Sequence, residues 1–273
     1  MLTNKTVVIT GSSRGIGLAA AAACAREGAS VVISSRTDDA VRIAVESLKN
    51  EGLNVTGVKA DVTSFGDLQN LLRQAEHIQG RVNVWINNAG IAGGYRTLHS
   101  MSECEIEAVV TTNLLGVLYS CKLMIPYLLE HGGGSIINIG GKGGKGDVSP
   151  YLTTYAATKT AVTSLTRSLA AENRKESISI NCLFPGIVET DMWQDIETCP
   201  QTVSRLEFIP VLIDAWATPI ERVTRKIIDL CCAEPGKQSG RCYSAGSPYR
   251  YFKAPYVFFK YFAGKNRQKG KGV

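Results

Sequence analysis

Short, β-rich apolar runs alternate along this chain with longer stretches of helical periodicity, and that alternation restricts its fold more than any other feature. The strand candidates are Thr6–Thr10, Ser30–Ser34, Asn54–Lys59, Val84–Asn87, Ser135–Ile139, Ile178–Leu183 and Arg241–Ser244. Between them lie helical candidates: Gly15–Glu27, Ala40–Glu51, Phe65–His77, Glu103–Glu130, Tyr151–Glu172 and Ile220–Cys232. Leu18, Ala22 and Ala25, and again Val162, Leu165 and Leu169, recur at the 3.6-residue spacing of one helix face. Strands joined through helices require right-handed crossovers, because a twisted strand feeding a right-handed helix packs back on its sheet only that way. The expected fold is α/β: a Rossmann-like, doubly wound parallel sheet with helices on both faces, in a single domain over residues 1–248. Residues 249–273 read as a basic, aromatic extension. Residues 190–219, with Trp193, Pro200, Pro210, Trp216 and Pro219, read as an irregular binding loop.

Composition narrows the class. Of 273 residues 44% are hydrophobic and 20% charged, enough apolar side chain for a sizeable core. No apolar run approaches 18 residues, which argues against a spanning helix, and the short polar start leaves no room for a signal peptide. The formal charge of +6 is local: after Glu234 there are nine basic residues and no acidic one, so the first 234 residues are slightly acidic. A basic isoelectric point is thus no sign of nucleic-acid binding by the main domain. The eight cysteines form no C-x-x-C pair and the three histidines lie far apart, so neither a disulfide framework nor a metal site is expected. Reduced thiols in a cytoplasmic setting are the default.

The first strand runs into Gly11-Ser12-Ser13-Arg14-Gly15-Ile16-Gly17 and then a helix. Glycines in such a turn let the backbone bend sharply and approach a pyrophosphate, which the helix N-terminus attracts. Gly11, Ser13, Arg14, Gly15, Ile16 and Gly17 are therefore expected to hold a dinucleotide. The spacing G-x-x-x-G-x-G differs from the commoner G-x-G-x-x-G. At the end of the second strand, where a carboxylate usually meets the ribose 2′-OH, stands Ser35, followed by Arg36. A guanidinium pairs a 2′-phosphate, and Arg14 adds a second positive charge, so NADP(H) is favoured over NAD(H). The alternative is that Arg36 is a solvated loop charge and Asp38 or Asp39 serves the ribose. Lys145 in the glycine-rich 140–146 segment lacks the glycine spacing of a P-loop.

Tyr155 and Lys159 form a Y-x-x-x-K pair one helical turn apart. A phenol titrates near 10, too high for acid–base work at neutral pH. An ammonium about 4–5 Å away would favour the phenolate and lower that value by about two to three units.

Together these pieces resemble the short-chain dehydrogenase/reductase family in its classical form, over residues 4–247. The matching elements are Thr10-Gly11-x-x-x-Gly15-x-Gly17, Asp61-Val62, Asn87-Asn88-Ala89-Gly90, Asn113, Tyr155-x-x-x-Lys159, and Asn181 through Pro185-Gly186 to Thr190. The resemblance implies that Asp61 and Val62 contact the adenine and that Asn88, Ala89 and Gly90 line the cofactor. It implies that Tyr155 is the acid–base, that Lys159 holds the nicotinamide ribose, and that Asn113 helps hold a relay water. Pro185, Gly186, Ile187 and Thr190 would close around the nicotinamide. A homodimer or homotetramer through Glu103–Glu130 and Tyr151–Glu172 is also implied.

One family element is missing. Where a serine normally bonds the reacting oxygen stands Gly141, followed by Lys142. Loss of such a donor costs on the order of 10²–10³ in rate. Ser149, Thr153 and Lys142 are candidate substitutes. Two readings follow: an NADP(H)-dependent oxidoreductase interconverting a carbonyl and an alcohol on a lipophilic small molecule, or an impaired family member that binds the dinucleotide as a regulatory protein. Met192, Trp193, Ile196, Val211, Leu212, Ile213 and Trp216 suggest an apolar pocket wall. For residues 249–273 three readings compete: a cap on the pocket or a subunit interface, peripheral contact with an anionic membrane, and, least favoured, nucleic-acid binding.

Overall fold

The computed structural model of the chain describes residues 1–190, 196–206, 208–246 and 253–261. Its centre is a parallel sheet of β1 (Thr6–Ile9), β2 (Ser30–Ser35), β3 (Val55–Lys59), β4 (Val84–Asn87), β5 (Gly134–Ile139), β6 (Ile178–Phe184) and β7 (Cys242–Ser244). The strand order is β3-β2-β1-β4-β5-β6-β7, so the winding reverses between β1 and β4. At such a switch point the crossover helices diverge to opposite faces and leave a crevice at the carboxyl ends of the strands.

The helices are α1 (Gly15–Arg26), α2 (Asp38–Asn50), α3 (Phe65–Gln79), α4 (Glu103–Val110), α5 (Gly116–Glu130), α6 (Thr153–Glu172), α7 (Val203–Leu206), α8 (Ile209–Trp216) and α9 (Ile220–Cys232). Alternate strand residues face opposite layers, as the period of two demands. Val7, Ile9, Val31, Ile33 and Ile137 pack with Ala20 and Ala21 of α1, Ala44 and Leu48 of α2, and Val223 and Ile227 of α9. Val8, Val32, Ile136 and Ile180 pack on the other side with Leu68 and Leu71 of α3, Val117 and Met124 of α5, and Val162 of α6. Strands covered on both faces read as continuous apolar runs, which is why they were legible.

Two expectations need correction. Residues 190–219 hold α7 and α8 rather than irregular loop throughout; Pro210 stands at the start of α8, where its missing N–H costs no helical bond. Met192 and Trp193 lie outside the described residues. The stretch Glu103–Glu130 is, by length and composition, apolar enough to cross a membrane, contrary to the reading of its runs. Here Val109, Val117, Cys121, Met124 and Leu128 of that helix are buried, the last four of them against the sheet.

Candidate active site

The carboxyl edge of the sheet gathers the ends of six strands. At β1, Gly11 has φ +60°, a left-handed conformation that glycine adopts without strain, and a Cβ there would stand 2.6 Å from Ala89 Cα. A Cβ on Gly17 would stand 2.5 Å from Asn88 Nδ2, which donates to the carbonyls of Thr10 and Gly11 at 3.0 and 2.8 Å. The turn is thereby locked to the end of β4 across the switch point. Gly15 faces Thr190, whose methyl would lie 3.5 Å from a Cβ. Helices α2, α3 and α4 begin on capping side chains, Thr37, Ser64 and Ser102. By contrast, α1 begins at Arg14 with no side-chain cap and no acid in its first turn. Its first amides are left open to an anionic group.

Ser13 and Ser35 hydroxyls bond at 3.1 Å, joining the turn to the end of β2. Arg14 and Arg36 flank this bond in sequence; both are exposed and neither forms an ion pair with a described residue. Asp38 is paired to Lys59 and Asp39 to Arg42. The Asp61 carboxylate accepts from the amide and hydroxyl of Thr63 at 2.9 and 2.8 Å, and Val62 is buried beside Gly116. At the end of β6, Pro185 is buried, and the Thr218 amide donates to the Ile187 carbonyl at 2.6 Å, tying that exit to the start of α9.

Tyr155, Lys159 and Asn113 converge beside β4 and β5. The helix Glu103–Glu130 widens into a π-turn at Thr111–Leu115, placing Asn113 fully buried. Its Oδ1 accepts from the Ile91 amide at 2.8 Å, and its Nδ2 donates to the Ile91 carbonyl at 2.9 Å and to Thr158 Oγ1 at 3.3 Å. Asn113 thus joins the strand exit at Gly90–Ile91 to α6. Single π-turns inside helices recur at functional sites because they re-aim one side chain. A Cβ on Gly90 would approach Asn113 Oδ1 at 3.2 Å and Lys159 Nζ at 3.5 Å, so this glycine leaves room for both.

Lys159 is 4% exposed and donates to the Ile139 carbonyl at 2.9 Å. Burial lowers it to about 8 and pushes Tyr155 up to about 12. The sequence-based expectation of a lowered Tyr155 is thereby corrected. The ammonium sits 5.5 Å from the phenol ring centroid and is turned toward a carbonyl, so desolvation outweighs its attraction. Gly141 touches Tyr155 directly, with no room for a side chain between them. Of the candidate substitutes for the missing serine, Lys142 is paired with Asp147, whose carboxyl it holds below the ordinary range. Ser149 Oγ donates to the Asp147 carbonyl at 3.2 Å, and Thr153 is exposed.

A cluster that the sequence did not suggest stands beside this centre. Arg96 is only 12% exposed and pairs with Glu105 of α4 and, at 2.7 Å, with Glu197. Its amide donates to the Tyr151 carbonyl at 3.0 Å, while the Tyr95 amide donates to the Glu197 carbonyl at 2.7 Å. The Tyr151 ring meets both the Tyr95 ring, 5.4 Å away, and the Arg205 guanidinium, 4.7 Å away. Tyr151 has φ +66°, a strained value for a bulky residue, held by these contacts four positions before Tyr155. The Ser102 amide, Arg96 and the Ser102 hydroxyl keep Glu105 down at about 2. No periodic signal links residues this far apart in sequence.

The fold is doubly wound α/β, with a glycine turn at the switch point and a tyrosine–lysine pair on α6, and its relatives make the chain an oxidoreductase. The chain belongs to the short-chain dehydrogenase/reductase family: the family model described as short chain dehydrogenase matches residues 5–200. It is 37% identical to chlorophyll(ide) b reductase NOL, chloroplastic, of Arabidopsis thaliana over 239 residues, 85% of this chain and 67% of that protein. Dehydrogenase/reductase SDR family member 4 of Bos taurus is 34% identical over 198 residues, 71% of each chain. Among solved structures, an actinorhodin polyketide ketoreductase variant with NADPH superposes with a TM-score of 0.78 at 26% identity, covering 89% of this chain and 97% of that one.

Proposed function

We propose that the chain is an NADP(H)-dependent reductase of a lipophilic carbonyl compound, with Tyr155 as proton donor. The observation that carries this reading is the placement of Tyr155. Its hydroxyl stands against Gly141 and forms no hydrogen bond to a described residue, so its proton is free for a ligand. A proton so placed is available to a carbonyl oxygen seated against Gly141. The ammonium of Lys159 lies behind it to stabilise the phenolate left after transfer.

The turn fits a dinucleotide: Gly11 and Gly17 bring backbone against Ala89 and Asn88, and the uncapped start of α1 suits a pyrophosphate. Gly11, Ser13, Gly15, Ile16 and Gly17 would hold it, with Asp61, Val62, Asn88, Ala89 and Gly90 along its length and Pro185, Gly186, Ile187 and Thr190 at the far end. Arg14 and Arg36 would take the 2′-phosphate. A bound nicotinamide would supply a hydride to the carbonyl carbon. Lys159 would hold its ribose, and Asn113 fixes the strand exit on which the site depends.

Half-buried Leu212 and Ile213 on α8 support an apolar substrate, as does the relative named for chlorophyll(ide) b. Exposed Val110, Leu118 and Leu129 on the helix Glu103–Glu130 support a homodimer or homotetramer through that helix and α6. Eight free thiols suit a reducing cytoplasm. Gly141 favours a second reading, a dinucleotide-binding protein with little turnover.

The test is NADPH oxidation by the purified chain over a panel of lipophilic ketones and aldehydes, beside Tyr155→Phe. Turnover that falls about 10²–10⁴-fold in the variant, with NADPH binding retained, supports the reductase. NADPH binding with equal, background rates in both proteins supports the binding protein.

A further inference from the structure

Residues 253–261 form a helix, α10, with two different faces. Its inner face is anchored: Ala254 and Val257 are buried against Ala215, Val211 and Trp216, and Phe258 stacks on Phe208 at 5.8 Å. Lys253 Nζ donates to the Asp214 carboxylate and carbonyl, each at 2.7 Å. The outer face carries Tyr256, 67% exposed, and Phe259, 74% exposed, with exposed Lys260 beside them. A helix already satisfied by packing on α8 has no folding reason to present two aromatic rings to water.

We propose that this outer face is a docking surface for an anionic lipid bilayer. Charge and ring chemistry select that occupant. Aromatic rings settle at the depth of lipid headgroups, where an apolar body and a polar rim are both accommodated. Cationic side chains add attraction to a negative surface, and this end of the chain has only cations to offer. Lys260 is followed in sequence by Lys265, Arg267, Lys269 and Lys271, and no carboxylate side chain occurs after Glu234. Two aromatic rings alone give weak partitioning, as does a short basic run; side by side they act together. Because α10 rests on α8 of the 190–219 segment, docking would hold that segment one helix away from the bilayer, a source of lipophilic substrate.

The experiment is co-sedimentation of the full chain with phosphatidylcholine vesicles, with and without one third phosphatidylglycerol, at low and high salt. We expect binding to the anionic vesicles that falls at least tenfold in high salt and on neutral vesicles. A Tyr256→Ser/Phe259→Ser double variant should bind at least tenfold more weakly while its melting temperature and its NADPH affinity stay unchanged. Intact chain remaining in the supernatant overturns the proposal. So does a double variant that binds as tightly as the parent, or one whose only change is loss of a dimer, which would assign the face to a second copy. Binding needs no turnover, so failure here leaves the reductase reading standing, and failure of that reading leaves this one.

Discussion

The Tyr155 hydroxyl lies in the space that a side chain at Gly141 would fill: a Cβ there would overlap Oη and stand 2.9 Å from Cζ. A serine at position 141 would therefore have to displace the phenol before it could donate. Restoring the family residue with Gly141→Ser should not improve the site. Overpacking of this kind costs about 1–3 kcal/mol, and the displaced phenol should lower kcat about tenfold or more. Gly141→Ala should do nearly the same, since the overlap begins at Cβ. A thermal melt and a turnover assay of both variants check this; faster turnover in Gly141→Ser would show that Tyr155 gives way freely.

Cofactor choice should lie at the end of β2. Arg14 and Arg36 are exposed and unpaired with any described residue, next to the Ser13–Ser35 bond. Arg36→Ala should weaken NADPH about tenfold, the worth of one charge-assisted contact, and leave NADH nearly unchanged. Ser35→Asp should reverse the preference by placing a carboxylate against the 2′ position. Fluorescence titration with each dinucleotide measures both; equal losses for NADPH and NADH in Arg36→Ala would refute the assignment.

Buried Lys159 should make stability rise with pH. Its folded value of about 8 lies below its ordinary 10.5. Between these values the unfolded chain holds a proton that the folded chain has released, so raising the pH favours the folded state. Lys159 by itself should contribute about 2 kcal/mol from pH 7.5 to 9.5. The buried Cys121 and Cys182 thiols, pushed up to about 12, act in the opposite direction over the same window, so the contribution is the difference between the parent and Lys159→Met. Urea unfolding at the two pH values reads the difference. Lys159→Met should abolish it and should be at least as stable as the parent at pH 7.5, while losing turnover.

Arg96 should set how well substrate is held. It joins α4 to the 196–202 segment and, through its backbone amide, to strained Tyr151. Arg96→Met removes both ion pairs but keeps the apolar stem. The expected result is a KM raised about tenfold with a smaller change in kcat, since the chemical pair is untouched. Steady-state kinetics distinguish this from general loosening, which would lower kcat as much.

The strands were legible because burial on both faces leaves an apolar run in sequence, and Val84–Asn87 and Ile220–Cys232 match their expected bounds. The helix Ile209–Trp216 was missed because Pro210 reads as a breaker unless its place in the first turn is known. Tyr155 and Lys159 were visible as one helical turn; their electrostatics were not. Spacing gives proximity, but the sign of a pKa shift depends on desolvation, which only packing determines.

By itself the sequence determined the doubly wound class of sheet and the glycine turn, because each is written in local periodicity or short spacing; the other residues along the carboxyl edge were named through family resemblance. Tertiary structure decided the rest. It placed Tyr155 against Gly141, turned Lys159 toward Ile139, joined Arg96 to Glu105 and Glu197, and left Tyr256 and Phe259 facing outward. These are relations between segments distant in the chain, set by which atoms share a volume and which lose water, and no local pattern carries that information.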